Sequence, residues 1–317
     1  MSEKSPHISV MLGEVLEILS PQEGEIILDG TFGAGGYSRA FLNFAPCQVY
    51  GIDRDPRAIE IGKKMEVEFE GRFAILEGTF GEMEELLARQ GIDKVHGIAL
   101  DIGVSSMQLD EAERGFSFMQ DGPLDMRMSR DGQTAADVVN QESEEELSRI
   151  IFRYGEERKA RSVAKAIVER RKTKPFARTL ELADLISTVV RQSGKGIHPA
   201  TRTFQALRIY VNDELGQLRA ALEASERLLM PGGRLAVVSF HSLEDRMVKN
   251  FLAERADAKG NPSRHVPMME KQYEPSFQLV KRGALKARKE EADLNPRSRS
   301  ARLRGAIRTD APLWRAA

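Results

Sequence analysis

Short apolar runs alternate with longer amphipathic stretches through the first hundred residues. Residues 25–29, 49–53, 72–76 and 95–101 are β-rich runs, and the stretches 37–44, from 56 onward, and 82–90 read as helices between them. This alternation predicts βαβ units with right-handed crossovers and a parallel, doubly wound sheet. The rhythm then breaks. Residues 109–205 contain no convincing strand but several helical segments, one of them opened by the capping-box sequence Ser143-Glu-Glu-Glu146. In another, Ala160, Val163, Ala164 and Ile167 repeat at helical spacing, and Arg158, Lys159, Arg161 and Lys165 occupy the other faces. From residue 204 a long amphipathic helix runs to 229, where Pro231-Gly232-Gly233 stops it. A strand over 234–240, a helix over 243–254 and two late strands near 277–281 and 301–308, paired as a hairpin edge, complete the pattern. The expected organisation is an α/β domain in two parts, 1–108 and 206–317, with a helical insertion at 109–205.

Composition adds little until charge is resolved along the chain. The 317 residues are 41% hydrophobic and 30% charged, ordinary for a soluble globular protein. No run approaches the roughly 18 apolar residues of a membrane span, and the start lacks the apolar core of a secretory signal. A cytoplasmic protein with no membrane partner is therefore expected. The single cysteine, Cys47, excludes an intrachain disulfide framework and a cysteine-based zinc site. The net charge of -1 hides a segregation: residues 149–178 carry 11 Lys/Arg against 3 Asp/Glu, and residues 264–317 carry 13 against 6. Basic segments of this kind suit a polyanion, although they also serve to solvate helix faces.

Candidate chemistry collects after the first four strands. Asp29-Gly-Thr-Phe-Gly33-Ala-Gly35-Gly36 follows the first strand and precedes a helix, where glycine admits close backbone approach and free N–H groups await a ligand. Ser38 departs from a dinucleotide fingerprint, and the Gly-Lys-Ser/Thr of a phosphate loop is absent. Asp29 disfavours a diphosphate and suits an amine or a sulfonium. Asp53 ends the second strand, where a carboxylate can accept from both hydroxyls of a ribose; Asp55 is the better cap for the helix beginning near Pro56. Phe80, after the third strand, is placed to pack on an adenine face. Asp101 ends the fourth, with Gln108 close behind. Together these residues point to an adenosine-type nucleoside across the strand ends.

Six motifs in order carry a resemblance. They are the loop 29–36, Gly51-Ile-Asp-Arg-Asp55, Leu100-Asp-Ile-Gly-Val-Ser-Ser106, His198-Pro-Ala-Thr-Arg-Thr-Phe-Gln-Ala-Leu-Arg208, Ser239-Phe-His-Ser-Leu-Glu-Asp-Arg246 and Asn295-Pro-Arg-Ser-Arg-Ser300. The chain resembles, from His7 to about Arg304, the ribosomal RNA small subunit methyltransferase H family, bacterial enzymes that N4-methylate a decoding-centre cytidine of 16S rRNA. The resemblance implies a Rossmann-like S-adenosylmethionine-dependent methyltransferase fold, with a mostly parallel seven-stranded sheet and an inserted helical domain. It implies cofactor contacts at Gly35, Gly36, Tyr37, Asp53, Phe80, Asp101 and Gln108, beside Asp29 and Gly33 of the same loop. It requires no metal, suggests 16S rRNA in the assembled small subunit as partner, and leaves a homodimer open. Tyr37 stands where this family often has His, which favours a backbone contact over a side-chain role.

Because a sulfonium is already an activated methyl donor, the remaining demand is an acceptor for the N4 hydrogens of cytosine. Asp101 is the first candidate, with His241 and Ser242 beside it, and the basic face of Arg158, Lys159, Arg161 and Lys165 is the candidate RNA contact. An NAD-dependent dehydrogenase would share Asp53 but not Ser38. A non-catalytic ribosome-assembly factor with a vestigial nucleoside pocket remains a further alternative.

Overall fold

The structure is a computed structural model that describes residues 9–104, 108, 111–129, 131–191, 197–256 and 274–314. His7, Ser105, Ser106, the Gly194-Lys-Gly196 break and the start of the basic tail at Arg264 lie outside them. Two compact units emerge, one of Met1–Gly103 with Gly216–Ala317 and one of Val104–Leu215. They divide at 103/104 and 215/216, against the 108/109 and 205/206 that the sequence pattern predicts.

The first unit is built on a seven-stranded sheet in the order β3-β2-β1-β4-β5-β7-β6. The strands are β1 (Ile26–Asp29), β2 (Gln48–Asp53), β3 (Phe73–Glu77), β4 (Val95–Asp101), β5 (Leu229–Ser239), β6 (Phe277–Leu279) and β7 (Arg302–Arg308). Pairs among β1 to β5 are parallel, and β7 runs antiparallel to both β5 and β6. This is the expected Rossmann-like α/β fold with a helical insertion. The two late strands pair antiparallel at the end of the sheet, the expected hairpin edge, with β6 outermost. One detail differs from expectation. β5 begins at Leu229 and bulges through Pro231-Gly232-Gly233: its pairing with β4 jumps from Val95↔Leu229 to Gly97↔Arg234. Gly232, at φ 80°, supplies the left-handed backbone at this bulge.

Helices α1 (Leu12–Leu19), α2 (Gly36–Phe44), α3 (Pro56–Glu68) and α4 (Met83–Ala88) belong to this unit. Asp55 caps α3 by accepting from the Arg57 N–H at 3.1 Å, as its position predicts. One apolar cluster joins Leu28, Ile52, Ile98, Leu100 and Val237 to Leu218, Leu222 and Leu252. A second joins Ile27, Val49 and Val238 to Val15, Phe41 and Met65. Strands that carry core residues in both clusters are buried on both faces, which is why they read as near-continuous apolar runs. No described helix is long and apolar enough to cross a membrane.

The second unit is helical: α5 (Ala135–Gln141), α6 (Glu144–Gly155), α7 (Ala160–Arg171), α8 (Thr179–Val189) and α9 (Thr201–Asn212). Its core includes Leu147, Ile151, Val163, Ile167, Leu182, Phe204 and Leu207. Ser143 caps α6, but only half of the expected box forms, because the Glu146 carboxylate turns to Arg149 instead. The long helix expected from 204 to 229 is two helices, α9 and α10 (Glu214–Leu228), broken at Asp213 with φ 47°. No Gly or Pro marks the break; Asp is among the few residues that tolerate this conformation. Asn212, just before it, is buried and binds Met126 O at 2.8 Å and Met128 N at 2.9 Å.

Candidate functional site

Strand order reverses between β1 and β4, and in a doubly wound sheet the carboxyl ends beside such a reversal form the crevice where ligands bind. Asp29, Asp53 and Asp101 are the last residues of β1, β2 and β4. The alternation thus brings the three sequence-selected carboxylates to one edge of one sheet.

Their side chains have different tasks. Asp29 is fully buried and accepts from Ser38 Oγ at 2.7 Å, Ser38 N at 3.2 Å and Thr31 N at 3.3 Å. Burial pushes its carboxyl up to about 6, against the pull of these hydrogen bonds. Its oxygens therefore organise the glycine loop, and Ser38, the residue that departs from a dinucleotide fingerprint, is the partner that makes this bond. Asp53 accepts from Gly33 N and Asp55 N, both at 2.8 Å. An ionised carboxylate offers about four acceptor positions, so capacity remains for further donors. Burial raises its pKa and the backbone donors oppose the rise.

Asp101 is the exception. Its backbone N–H donates to Thr31 Oγ1 at 2.7 Å, tying the end of β4 to the glycine loop. Its Oδ1 is shielded from solvent and has no hydrogen-bond partner. Burial first, then the nearby charges of Asp29 and Glu244, push its carboxyl up to about 8. An orphaned carboxylate oxygen at a strand end is expensive to maintain and suits a cationic or N–H-bearing ligand.

The glycines of the loop are constrained from within. Gly33 and Gly35 have φ of 55° and 78°. A Cβ on Gly35 would lie 2.7 Å from the Phe32 ring, and one on Gly36 would lie 1.8 Å from Ser9 Oγ. Their identity thus follows from backbone shape and close packing inside the protein. Tyr37 is buried among Val10, Phe41 and Leu42, with its hydroxyl donating to Val10 O. That leaves its main chain as the part at the helix start. Phe80 is half-buried, at the head of a short 3-10 turn after β3, and packs on the sheet's core. Gln108 is buried in the helical unit.

His241 and Ser242 follow β5. His241 is the N-cap of α11 (Ser242–Arg255), its Nδ1 accepting from Glu244 N at 3.4 Å. Ser242 is the exposed first residue of that helix. Glu244, absent from the sequence-selected residues, is fully buried and accepts from Phe240 N at 2.8 Å and His241 N at 3.2 Å. Its Oε1 lies 2.9 Å from His241 Nε2 without the alignment of a hydrogen bond. The three-residue spacing from His241 to Glu244 is a capping-box spacing and was the available signal. Thr31 and Ser38 were also missed; their roles depend on which way two short side chains turn. In the helical unit, Arg158, Lys159, Arg161 and Lys165 are all exposed, and Lys159 Nζ donates to Val189 O at 3.0 Å.

Over 310 residues, covering 98% of each chain, the sequence is 59% identical to a "Ribosomal RNA small subunit methyltransferase H" of Paramagnetospirillum magneticum. It is 58% identical over 318 residues to the protein of that name from Rhodospirillum rubrum, covering 99% of this chain and 98% of the relative. Among solved structures, an rRNA methylase from Streptococcus thermophilus aligns over 94% of both chains at 8% identity, with a TM-score of 0.41. The MraW methylase family model matches residues 4–309. With relatives this similar along almost their whole length, the chain belongs to the MraW methylase family.

Proposed function

We propose that this methylase transfers the methyl group of S-adenosylmethionine to N4 of one decoding-centre cytidine in 16S rRNA, acting on the assembled small subunit in the cytoplasm. The observation that carries the reading is the buried, unpartnered Oδ1 of Asp101 at the crevice end of β4. Family membership supports methyl transfer, and the names of the relatives support small-subunit rRNA as the acceptor.

The residues fit the cofactor. Asp53 has acceptor capacity left for ribose hydroxyls, the main chain from Gly33 to Tyr37 borders the start of α2, and Phe80 offers a ring face. Asp101 adds a carboxylate whose Oδ1 lacks a donor, and Gln108 is carried over from the family resemblance alone. Asp29 contributes through the loop that it organises. When bound, S-adenosylmethionine supplies an activated methyl on a sulfonium. The chain's own work is positioning and proton handling. The N4 lone pair of cytosine is delocalised into the ring, so a group that accepts an N4–H returns electron density as the nitrogen pyramidalises. Ionised Asp101 performs that task in this proposal. His241 is occupied as a helix cap and Ser242 is exposed, so neither is needed for the proton. The exposed cations of α7 hold RNA phosphates, and the target base leaves its stack to react.

The test is methylation of small subunits from cells lacking the protein, followed by nucleoside digestion and mass spectrometry. N4-methylated cytidine at a single decoding-centre position is expected. A new methyl on a ring carbon, a ribose oxygen or a protein side chain overturns the reading.

A further inference from the structure

The His198-to-Arg208 motif has no part in the chemistry proposed above, yet it ends an unusual column of rings in the helical unit. Phe204, on α9, is buried. Phe118 meets it edge-on, with centroids 4.9 Å apart at 75°, and His198 lies nearly flat on Phe118 at 4.6 Å and 28°. Phe118 is half-buried and His198 is exposed, so the column runs from core to surface. His198 Nδ1 accepts from Ala200 N at 3.2 Å, which holds the imidazole in its stacked orientation. The chain neighbours of the two outer rings are also bare: Met119 is 82% exposed and Ile197 is 63% exposed.

A single exposed apolar side chain needs no explanation. Two of them next in sequence to the outer rings of a column braced from the core mark a surface suited to a flat apolar partner. Charge selects the kind of partner. Residues 185–212 contain four Lys/Arg and no Asp/Glu; Arg208 is paired with Glu214 and Arg202 lies 3.8 Å from Glu157, which leaves Arg191 and Lys195 as the further positive charge of this segment. Single-stranded RNA combines a polyanionic backbone with unstacked flat bases, and proteins take those bases on aromatic and histidine rings.

We propose that His198, braced by Phe118 and Phe204, is a stacking platform for an unstacked base of the RNA substrate. The proposal rests on the reading that the chain acts on small-subunit rRNA. The base is either the target cytidine or a nucleotide beside it; both present the same chemistry.

The experiment compares full-length His198→Ala, His198→Asn and His198→Phe with the unaltered chain. Unmethylated small subunits are the probe, with binding measured by sedimentation and methylation by initial rates. Loss of one stacked base is worth about 5- to 150-fold, so His198→Ala is expected to lower kcat/KM and subunit affinity at least fivefold, with cofactor affinity unchanged. His198→Phe keeps a ring and should recover most of the loss. His198→Asn keeps a cap for Ala200 N but no ring, and should not. Rescue by Asn and not by Phe, or an Ala variant equal to the parent, overturns the platform. A parent chain that neither binds nor methylates subunits overturns the RNA reading itself, and the platform with it. A base analogue whose fluorescence is quenched on stacking, placed first at the target and then at each flanking position, identifies which nucleotide is held.

Discussion

At the carboxyl edge of the sheet, Asp29 is fully buried and Asp53 and Asp101 are half-buried, whereas Arg158, just before α7, and Arg161 and Lys165 on it stand exposed. Desolvation makes each buried carboxylate costly, so Asp29 and Asp53 are compensated by backbone and hydroxyl donors. Asp101 Oδ1 is left without such a partner. Each hydrated cation on the helix contributes little to folding, but several together act on a polyanion through counterion release. One region should therefore respond sharply to single changes, and the other should respond to the number of charges removed.

The largest expected effect is in the helical unit and is cumulative. Reversal of Arg158, Arg161 and Lys165 to Glu should reduce methylation of small subunits by roughly 10²-fold or more near physiological salt and make it less salt-dependent, with a slope smaller by about 2–3. Lys159 is spared because its Nζ is bonded to Val189 O, and its loss would confuse binding with folding. Cofactor affinity measured by calorimetry should not change. A triple variant that methylates with the parental rate and salt slope would reduce this face to solvated surface.

In the sheet unit a single change should suffice. Asp53→Ala removes an acceptor for ribose hydroxyls, and charge-assisted hydrogen bonds are worth about 1.5–3 kcal/mol, or about 10- to 100-fold in S-adenosylmethionine affinity. Part of that loss belongs to the glycine loop, because Asp53 also holds the Gly33 and Asp55 N–H groups. Asp53→Asn, which retains a carbonyl acceptor, should fall between Ala and the parent. Affinity within twofold of the parent for both variants would remove Asp53 from the site.

The same contrast explains how much was legible in the sequence. Strand ends are fixed by apolar runs, so Asp29, Asp53 and Asp101 could be placed at one sheet edge without coordinates. The exposed face of α7 follows from the spacing of Ala160, Val163, Ala164 and Ile167, all buried. What could not be read depends on local rotamers and on contacts distant in sequence. Asp29 turns towards Ser38 rather than outward, and Glu244 folds back on Phe240 and His241. The break at Asp213 lacks a Gly or Pro signal and depends on a backbone conformation that few residues adopt. The hairpin edge of β6 and β7 was legible in two late apolar runs, but which of the two lies outermost depends on pairing with β5, to which local periodicity is blind.

The smallest expected effect is the most diagnostic for Asp101. Its carboxyl titrates near 8 in the folded chain against an unfolded value near 3.8. Between those values the folded chain holds a proton that the unfolded chain has lost, so this group's contribution to stability is complete below about pH 4 and is lost as pH rises to about 8. Asp101→Asn removes the titration while keeping the shape. In the absence of cofactor, the variant should melt above the parent at neutral pH, by about 2–4 °C for each ~1 kcal/mol relieved. The gap should widen from pH 4 to 8 and then level off. Binding of a cationic cofactor should follow the opposite course: parental affinity should rise with pH through about 8, where Asp101 ionises, and that rise should vanish in the Asn variant. A variant that is more stable but binds a sulfonium less well at high pH is what a carboxylate retained for its ligand predicts. Melting curves that stay parallel across this pH range, with equal affinity slopes, would mean that Asp101 is already ionised and paired in the folded chain, and would remove it as the acceptor of the N4 hydrogen.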